Sequence, residues 1–275
     1  MMNPLRSDAI AILDSGAGGL TVAREVMRQL PRETVIYVGD TARCPYGPRP
    51  ESEVRRFTLE IVQFLMQFRL KALVIACNTA TAAALETVRS RLAVPVLGVI
   101  EPGARAAIKV TKRNRVGVIG TQGTIRSGAY EKALRRLHPG ITVFSLACPA
   151  FVPLVEGGKR GSEEAGRIVA ETLEPLKETG IDSLILGCTH YPLLADPISC
   201  AMGESVAIIS SAEETAAELS TILQHQNLLS DIETPRHRFF TTGSPETFAR
   251  IAEDWFGHPI HVEQVALEPL EPVTG

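Results

Sequence analysis

Paired cysteines are missing from this sequence. The 275-residue chain has five, at positions 44, 77, 148, 188 and 200, an odd number with no C-x-x-C spacing. That excludes a disulfide framework and a zinc ribbon. No stretch reaches the roughly 18 apolar residues needed to span a bilayer. Met1–Asp8 is polar and the apolar run Ala9–Leu13 is too short for an export signal, so the expectation is a cytoplasmic protein with reduced thiols and no membrane partner. An excess of one charge is lacking too: the net charge of −3 gives no reason to expect a nucleic-acid partner. The glycine-rich turn Asp14-Ser15-Gly-Ala-Gly18-Gly19 has no Walker lysine after it, and the third glycine of a dinucleotide fingerprint would fall at Thr21. His, Cys and acidic residues do not recur at metal-ligand spacing. We therefore expect neither cofactor nor metal.

With 45% apolar and 21% charged residues, the chain has the composition of a folded protein, and its length suits two domains of about 100–150 residues. Short apolar runs alternate with helical patterns, which predicts α/β architecture with mostly parallel sheets. The runs are Ala9–Leu13, Thr34–Val38, Ala72–Ala76, Val94–Val99, Val116–Ile119, Thr142–Ala147, Ser183–Leu186 and Ala207–Ile209. Between them, Glu51–Arg69 repeats Val54, Phe57, Ile61, Phe64, Leu65 and Phe68 at three- and four-residue steps, the pattern of an amphipathic helix. Thr81–Leu92, Glu163–Lys177 and Ser211–Leu223 also read as helices.

Three strand ends echo one another in order. Leu13-Asp14-Ser15 resembles Ile119-Gly120-Thr121, Ile36–Asp40 resembles Phe144–Cys148, and Lys71–Cys77 resembles Asp182–Cys188, at offsets of 106, 108 and 111 residues. The echo predicts two pseudo-symmetric three-layer α/β domains with a site in the cleft between them, where strand carboxyl ends gather ligands. We place the second domain at 99–205. The remainder is too small for a core of its own, so 1–98 plus 206–275 form a discontinuous first domain. The proline-rich Leu267–Val273 is expected to be peripheral.

Cys77 and Cys188 occupy equivalent strand ends. Asn78-Thr79 and Thr189-His190 follow them, and each thiol is expected at a helix N-terminus, where the dipole lowers its pKa. One thiolate and one thiol facing each other suit removal of a proton from one side of a carbon and delivery to the other, the chemistry of a racemase or epimerase without a cofactor. Asp14 is placed to orient an ammonium or assist a thiol. Ser15, Thr121, Thr124, Asn78, Thr79 and Thr189 supply neutral donors suited to a small zwitterion. His190 alone among the six histidines stands beside a candidate catalytic group; the other five read as surface residues. Cys44 is given a supporting position, and Cys148 and Cys200 are read as packing residues.

Four blocks, Ile12-Leu-Asp-Ser-Gly-Ala-Gly-Gly-Leu, Gly39-Asp-Thr-Ala-Arg-Cys-Pro-Tyr-Gly47, Ala76-Cys-Asn-Thr-Ala-Thr-Ala82 and Leu186-Gly-Cys-Thr-His-Tyr-Pro-Leu193, resemble the bacterial glutamate racemases. Gly98–Gly103, Ala147–Glu156 and Ser211–Ala216 add to the resemblance, which runs from about residue 9 to Gly243. It implies cofactor-independent interconversion of L- and D-glutamate by two bases, supplying D-glutamate for peptidoglycan, often by a homodimer. It implies that Cys77 deprotonates D-glutamate and Cys188 L-glutamate, and that Asp14, Glu156 and His190 assist the thiols. Asp14, Ser15, Pro45, Tyr46, Gly47, Asn78, Thr79, Thr189 and His190 would contact substrate, with Thr121 and Thr124 close by. The stretch after Cys188 favours glutamate over aspartate.

Overall fold

A computed structural model describes residues 3–270; Met1 and residues 271–273 of the expected peripheral tail lie outside them. The chain runs β1 (Ala9–Asp14), α1 (Leu20–Gln29), β2 (Val35–Gly39), α2 (Glu51–Leu65), β3 (Leu70–Ile75), α3 (Asn78–Arg89) and β4 (Val96–Gly98). It continues with α4 (Ile100–Val110), β5 (Arg115–Gly120), α5 (Gln122–Ser127), α6 (Ala129–Leu137), β6 (Thr142–Ala147), α7 (Phe151–Glu156), α8 (Glu163–Lys177) and β7 (Ser183–Gly187). A 3-10 turn (Tyr191–Leu194), α9 (Ala195–Met202), β8 (Ala207–Ser210), α10 (Ser211–His225), β9 (Arg238–Thr241), α11 (Pro245–Phe256) and β10 (Val262–Gln264) complete it.

These strands make two sheets, ordered β10-β9-β2-β1-β3-β4 and β6-β5-β7-β8, with every neighbouring pair parallel. The order β2-β1-β3-β4 recurs as β6-β5-β7-β8, so the echo in sequence is also a repeat of topology. Both β1 and β3 are buried along their whole length, as expected of strands covered by helices on both faces. Alternate residues of β1 enter different cores: Ala11 and Leu13 pack with α2 and α3, while Ile10 and Ile12 face α1 and α10. In the second sheet Val116, Val118 and Ile185 pack with α4 and α6. Leu184 and Leu186 face α7, α8 and α9 in a cluster continuous with that of Ile10 and Ile12. A shared apolar cluster thus joins the two layered units.

Several sequence expectations shift. The boundary after residue 205 falls short, because β8 pairs with β7 in the second sheet; it fills the place that β4 fills beside β3. Residues return to the first sheet later, through β9 against β2 and β10 against β9. The segment around Phe239-Phe240 is therefore a strand that sequence patterning does not resolve. Helix α2 stops at Leu65 rather than Arg69, and Phe68 packs with Phe64 and Phe240 from beyond the helix. Helix α3 begins three residues early, at Asn78. Pro102 and Gly103 lie near the start of α4, where a proline's missing N–H costs nothing. Ser210 caps α10, accepting from the Ala212 amide at 3.3 Å. In the tail, Leu267 and Leu270 pack against the apolar cluster beneath α2.

Candidate active site

Because all strands in a sheet are parallel, their carboxyl ends emerge along one edge. Six segments reach a common narrow cavity from such ends. It is lined by Ser15, the loop Cys44–Gly47, Cys77-Asn78-Thr79, Thr121, Val152 and Cys188-Thr189-His190. Both cysteines of the echoing strands are buried there. Their settings differ. Cys77 is the N-cap of α3, its sulfur accepting from the Ala80 amide at 3.4 Å. Cys188 stands at the end of β7 and leads through Thr189 and His190 into a 3-10 turn, so no helix begins on it.

The electrostatics also depart from expectation. Burial pushes the Cys77 thiol up to about 12, reinforced by the carboxylate of Asp14, and the Ala80 amide and Ser15 hydroxyl only partly offset this. Desolvation therefore outweighs the donors that the start of α3 and Ser15 supply. His190 is pushed the other way. Its burial alone would lower its pKa, but hydrogen bonds to Cys188 and Glu156 raise it to about 10. Its Nδ1 lies 3.7 Å from Cys188 Sγ and its Nε2 3.1 Å from Glu156 Oε1. A protonated imidazole donates from both nitrogens, so it can face a sulfur and a carboxylate at once. The hydrogen bond from His190 holds Glu156 below the usual carboxylate range. Cys44 donates to the same carboxylate at 3.6 Å, and burial raises its thiol pKa.

Asp14 is fully buried behind the cavity wall. Burial raises its pKa, although the positive His190 and the amides of Gly16 and Gly19 oppose the shift. It accepts from Gly16 N at 3.0 Å and from Thr189 Oγ1 at 3.4 Å, joining the first strand end to the loop after Cys188. Gly18 makes that approach possible, since a Cβ there would lie 2.5 Å from the His190 ring. Across the cleft, Thr79 Oγ1 meets Thr121 Oγ1 at 2.8 Å and Thr124 Oγ1 at 3.2 Å. The Gly123 amide donates to Gly47 O at 2.8 Å.

Of the residues singled out from sequence, Ser15, Pro45, Tyr46, Gly47, Cys77, Asn78, Thr79, Thr121, Cys188, Thr189 and His190 line this cavity. Asp14 and Thr124 are buried behind the lining, and Glu156 reaches His190 from α7. Sequence reasoning does not pick out Val152, one helical turn before Glu156 on α7; that spacing is the signal that could have found it. Cys148 is buried in the core, whereas Cys200 is exposed and does not pack. His237 is not a surface residue either: its Nδ1 accepts from Val35 N at 3.2 Å, and burial lowers its pKa. Among the described residues no group of three or more His, Cys, Asp or Glu is arranged to hold a metal ion, and no helix is long and apolar enough to cross a membrane.

A profile of the Asp/Glu/hydantoin racemase family matches residues 16–219. The chain belongs to this family. It is 55% identical to a glutamate racemase of Bacillus cereus, over 94% of this chain and 97% of that relative. Among solved structures, glutamate racemase isoform RacE1 from Bacillus anthracis is 56% identical, with a TM-score of 0.94 over 97% of this chain and 100% of that one. The glutamate racemase of Francisella tularensis in complex with D-glutamate is 34% identical, with a TM-score of 0.90 over 96% and 99% of the two chains. Family membership fits a cavity that carries thiols and carboxylates at the carboxyl ends of two equivalent sheets.

Proposed function

We propose that this protein is a glutamate racemase that inverts the α-carbon by proton transfer between two cysteines and substrate. The observation that carries the reading is the placement of Cys77 and Cys188 at equivalent strand ends of two repeated sheets, in the wall of one cavity. In one direction the Cys188 thiolate takes the α-proton of L-glutamate and becomes a thiol. The carbanion then takes a proton from the Cys77 thiol, which becomes the thiolate, and D-glutamate leaves. The reverse reaction, or proton exchange with solvent, resets the pair. A thiol held at about 12 by burial is a group that keeps its proton until a strong base forms beside it, which suits Cys77 to the acid's part in this direction. His190 and Glu156 serve the Cys188 side, Asp14 the Cys77 side.

The α-proton is weakly acidic, so the carbanion needs donors aimed at the α-carboxylate before the charge develops. Asn78, Thr79 and Thr189 offer them, while Ser15 and the Tyr46-Gly47 loop hold the rest of the substrate. The cavity is narrow, so entry requires the two layered units to part and close again, excluding water. D-Glutamate from this reaction would serve peptidoglycan synthesis, and we expect a cytoplasmic homodimer, checked by sedimentation.

The test is incubation of the pure protein with L-glutamate and no added cofactor, followed by circular dichroism. The ellipticity should decay to zero. Cys77→Ser and Cys188→Ser should each lower racemisation by at least about 10²-fold, the scale of general acid–base assistance. In deuterium oxide, label should enter the product enantiomer first, since each face has its own base. Equal label in both enantiomers at early times, or faster turnover of aspartate than of glutamate, would overturn the reading.

A further inference from the structure

Tyr130 belongs to α6 of the second unit and is buried, yet its hydroxyl reaches the first unit. It donates to Asn78 Oδ1 at 2.7 Å. Ser211, the first residue of α10, stands beside the same hydroxyl: a Cβ on Gly103 would lie 3.1 Å from Ser211 Cβ and 3.3 Å from the Tyr130 oxygen. Asn78 is 2% exposed and contributes to the cavity wall next to Cys77, and its Nδ2 is buried without a hydrogen-bond partner. A carboxamide with an unmet donor is costly to bury, so the arrangement makes sense if a ligand supplies the acceptor.

The direction of this bond decides which end of the carboxamide faces the cavity. A phenol has one O–H. That single O–H goes to Asn78, which must present its carbonyl oxygen to receive it. The NH2 is then turned away from Tyr130. The ring itself is seated closely beside the other catalytic strand: a Cβ on Gly187, the residue before Cys188, would lie 3.0 Å from Tyr130 Cε2. The phenol therefore cannot swing away on that side.

We propose that Tyr130 is a positioning residue that locks the Asn78 carboxamide with its NH2 toward the substrate carboxylate. The proposal rests on the reading that glutamate binds in this cavity. Because Tyr130 lies on α6 and Asn78 on α3, the lock also ties substrate binding to the junction of the two units. It predicts that Tyr130 matters only through Asn78.

A double-mutant cycle tests this. Tyr130→Phe should raise KM for both enantiomers and lower kcat/KM about tenfold. In an Asn78→Ala background the same substitution should change kcat/KM, or D-glutamate affinity by calorimetry if turnover is too slow, by less than twofold. Equal losses in the two backgrounds, or no loss in the first, overturn the proposal. Asn78→Asp provides a second variant should Tyr130→Phe fold poorly: it keeps an acceptor for the Tyr130 O–H but removes the NH2, and a wild-type kcat/KM in it overturns the proposal. A substrate-free readout separates this proposal from the racemase reading. The Asn78 side-chain amide pair in a 15N-labelled protein should shift or split on Tyr130→Phe, and an unmoved pair overturns the lock whatever substrate the enzyme turns over.

Discussion

His190 is buried beside Cys188 and Glu156, and its folded-state pKa of about 10 stands well above the ordinary 6.5. A group whose pKa rises on folding stabilises the native state through its bound proton. That contribution is complete below pH 6.5, falls as the pH climbs, and is gone above about 10. Denaturant titrations at pH 7, 8 and 9 should therefore show a decline in stability that His190→Asn flattens. Burial raises the thiol pKa of Cys44, Cys77 and Cys148 as well, and they add a decline of the same sign as the unfolded thiols ionise around pH 9, so the difference between the wild-type and His190→Asn slopes isolates the histidine; an unchanged slope in the variant contradicts the assignment. At this scale the sequence was informative about which residues meet but not about their charge. The echo of Cys77 and Cys188 was visible because strand and turn chemistry repeat. The upward shift of Cys77 was not, since desolvation depends on what packs over the sulfur, and the cluster around Cys77 gathers residues as far apart in the chain as Ala9 and Phe240. Val152 escaped notice for a related reason: one valine in an apolar helix looks like any core residue until the cavity is seen.

The loop from Asp40 to Gly47 shows how an element without regular structure is fixed in place. Asp40 is fully buried and accepts from the Tyr46 hydroxyl, from Arg43 Nε at 2.7 Å and from Thr242 Oγ1 at 2.7 Å. Arg43 also pairs with Glu60 of α2 and lies 4.0 Å over the Phe57 ring. These charge-assisted bonds hold the Pro45-Tyr46-Gly47 backbone against the cavity. A hydrogen bond to a charged group contributes about 1.5–3 kcal/mol, so Asp40→Ala should raise KM for both glutamate enantiomers by about tenfold or more, with a smaller effect on kcat. Steady-state kinetics in both directions check this, and a fall in kcat alone would place Asp40 in the chemistry instead. Strands of five or six buried residues, such as β1 and β7, were legible as apolar runs. Strands β9 and β10, of four and three residues, were not, because so short a run shows no period. The start of α3 was misplaced because its cap is a residue of the cavity wall: Cys77 is an unusual N-cap, and the expected helix began only after it.

The whole molecule is closed at the edge opposite the cavity by a buried ion pair. Lys71, at the entry to β3, is fully buried and pairs with buried Glu33 ahead of β2. Its Nζ also donates to Arg6 O at 2.6 Å and to Leu228 O at 2.9 Å, while Glu33 Oε1 accepts from Ser230 N at 2.8 Å. The cluster thereby gathers the chain's first turn, the entry to β2 and the segment that returns from α10 toward β9. This is the point where the chain returns to the first sheet, and a lysine opening an apolar run gave no sign of it. The pair sits at the amino ends of the strands while the thiols sit beyond the carboxyl ends, so stability and chemistry are separable. Lys71→Met leaves Glu33 buried without its cation, a loss of about 3–5 kcal/mol for breaking such a pair. The urea midpoint should drop accordingly, while the molecules that remain folded keep a wild-type KM for glutamate. Replacing both residues, Lys71→Met with Glu33→Met, should recover much of the loss, because the stranded charge is removed along with its partner. A single variant that loses less than about 1 kcal/mol, within the range of exposed pairs, would mean that water reaches the cluster and that the return of the chain is held by apolar packing alone.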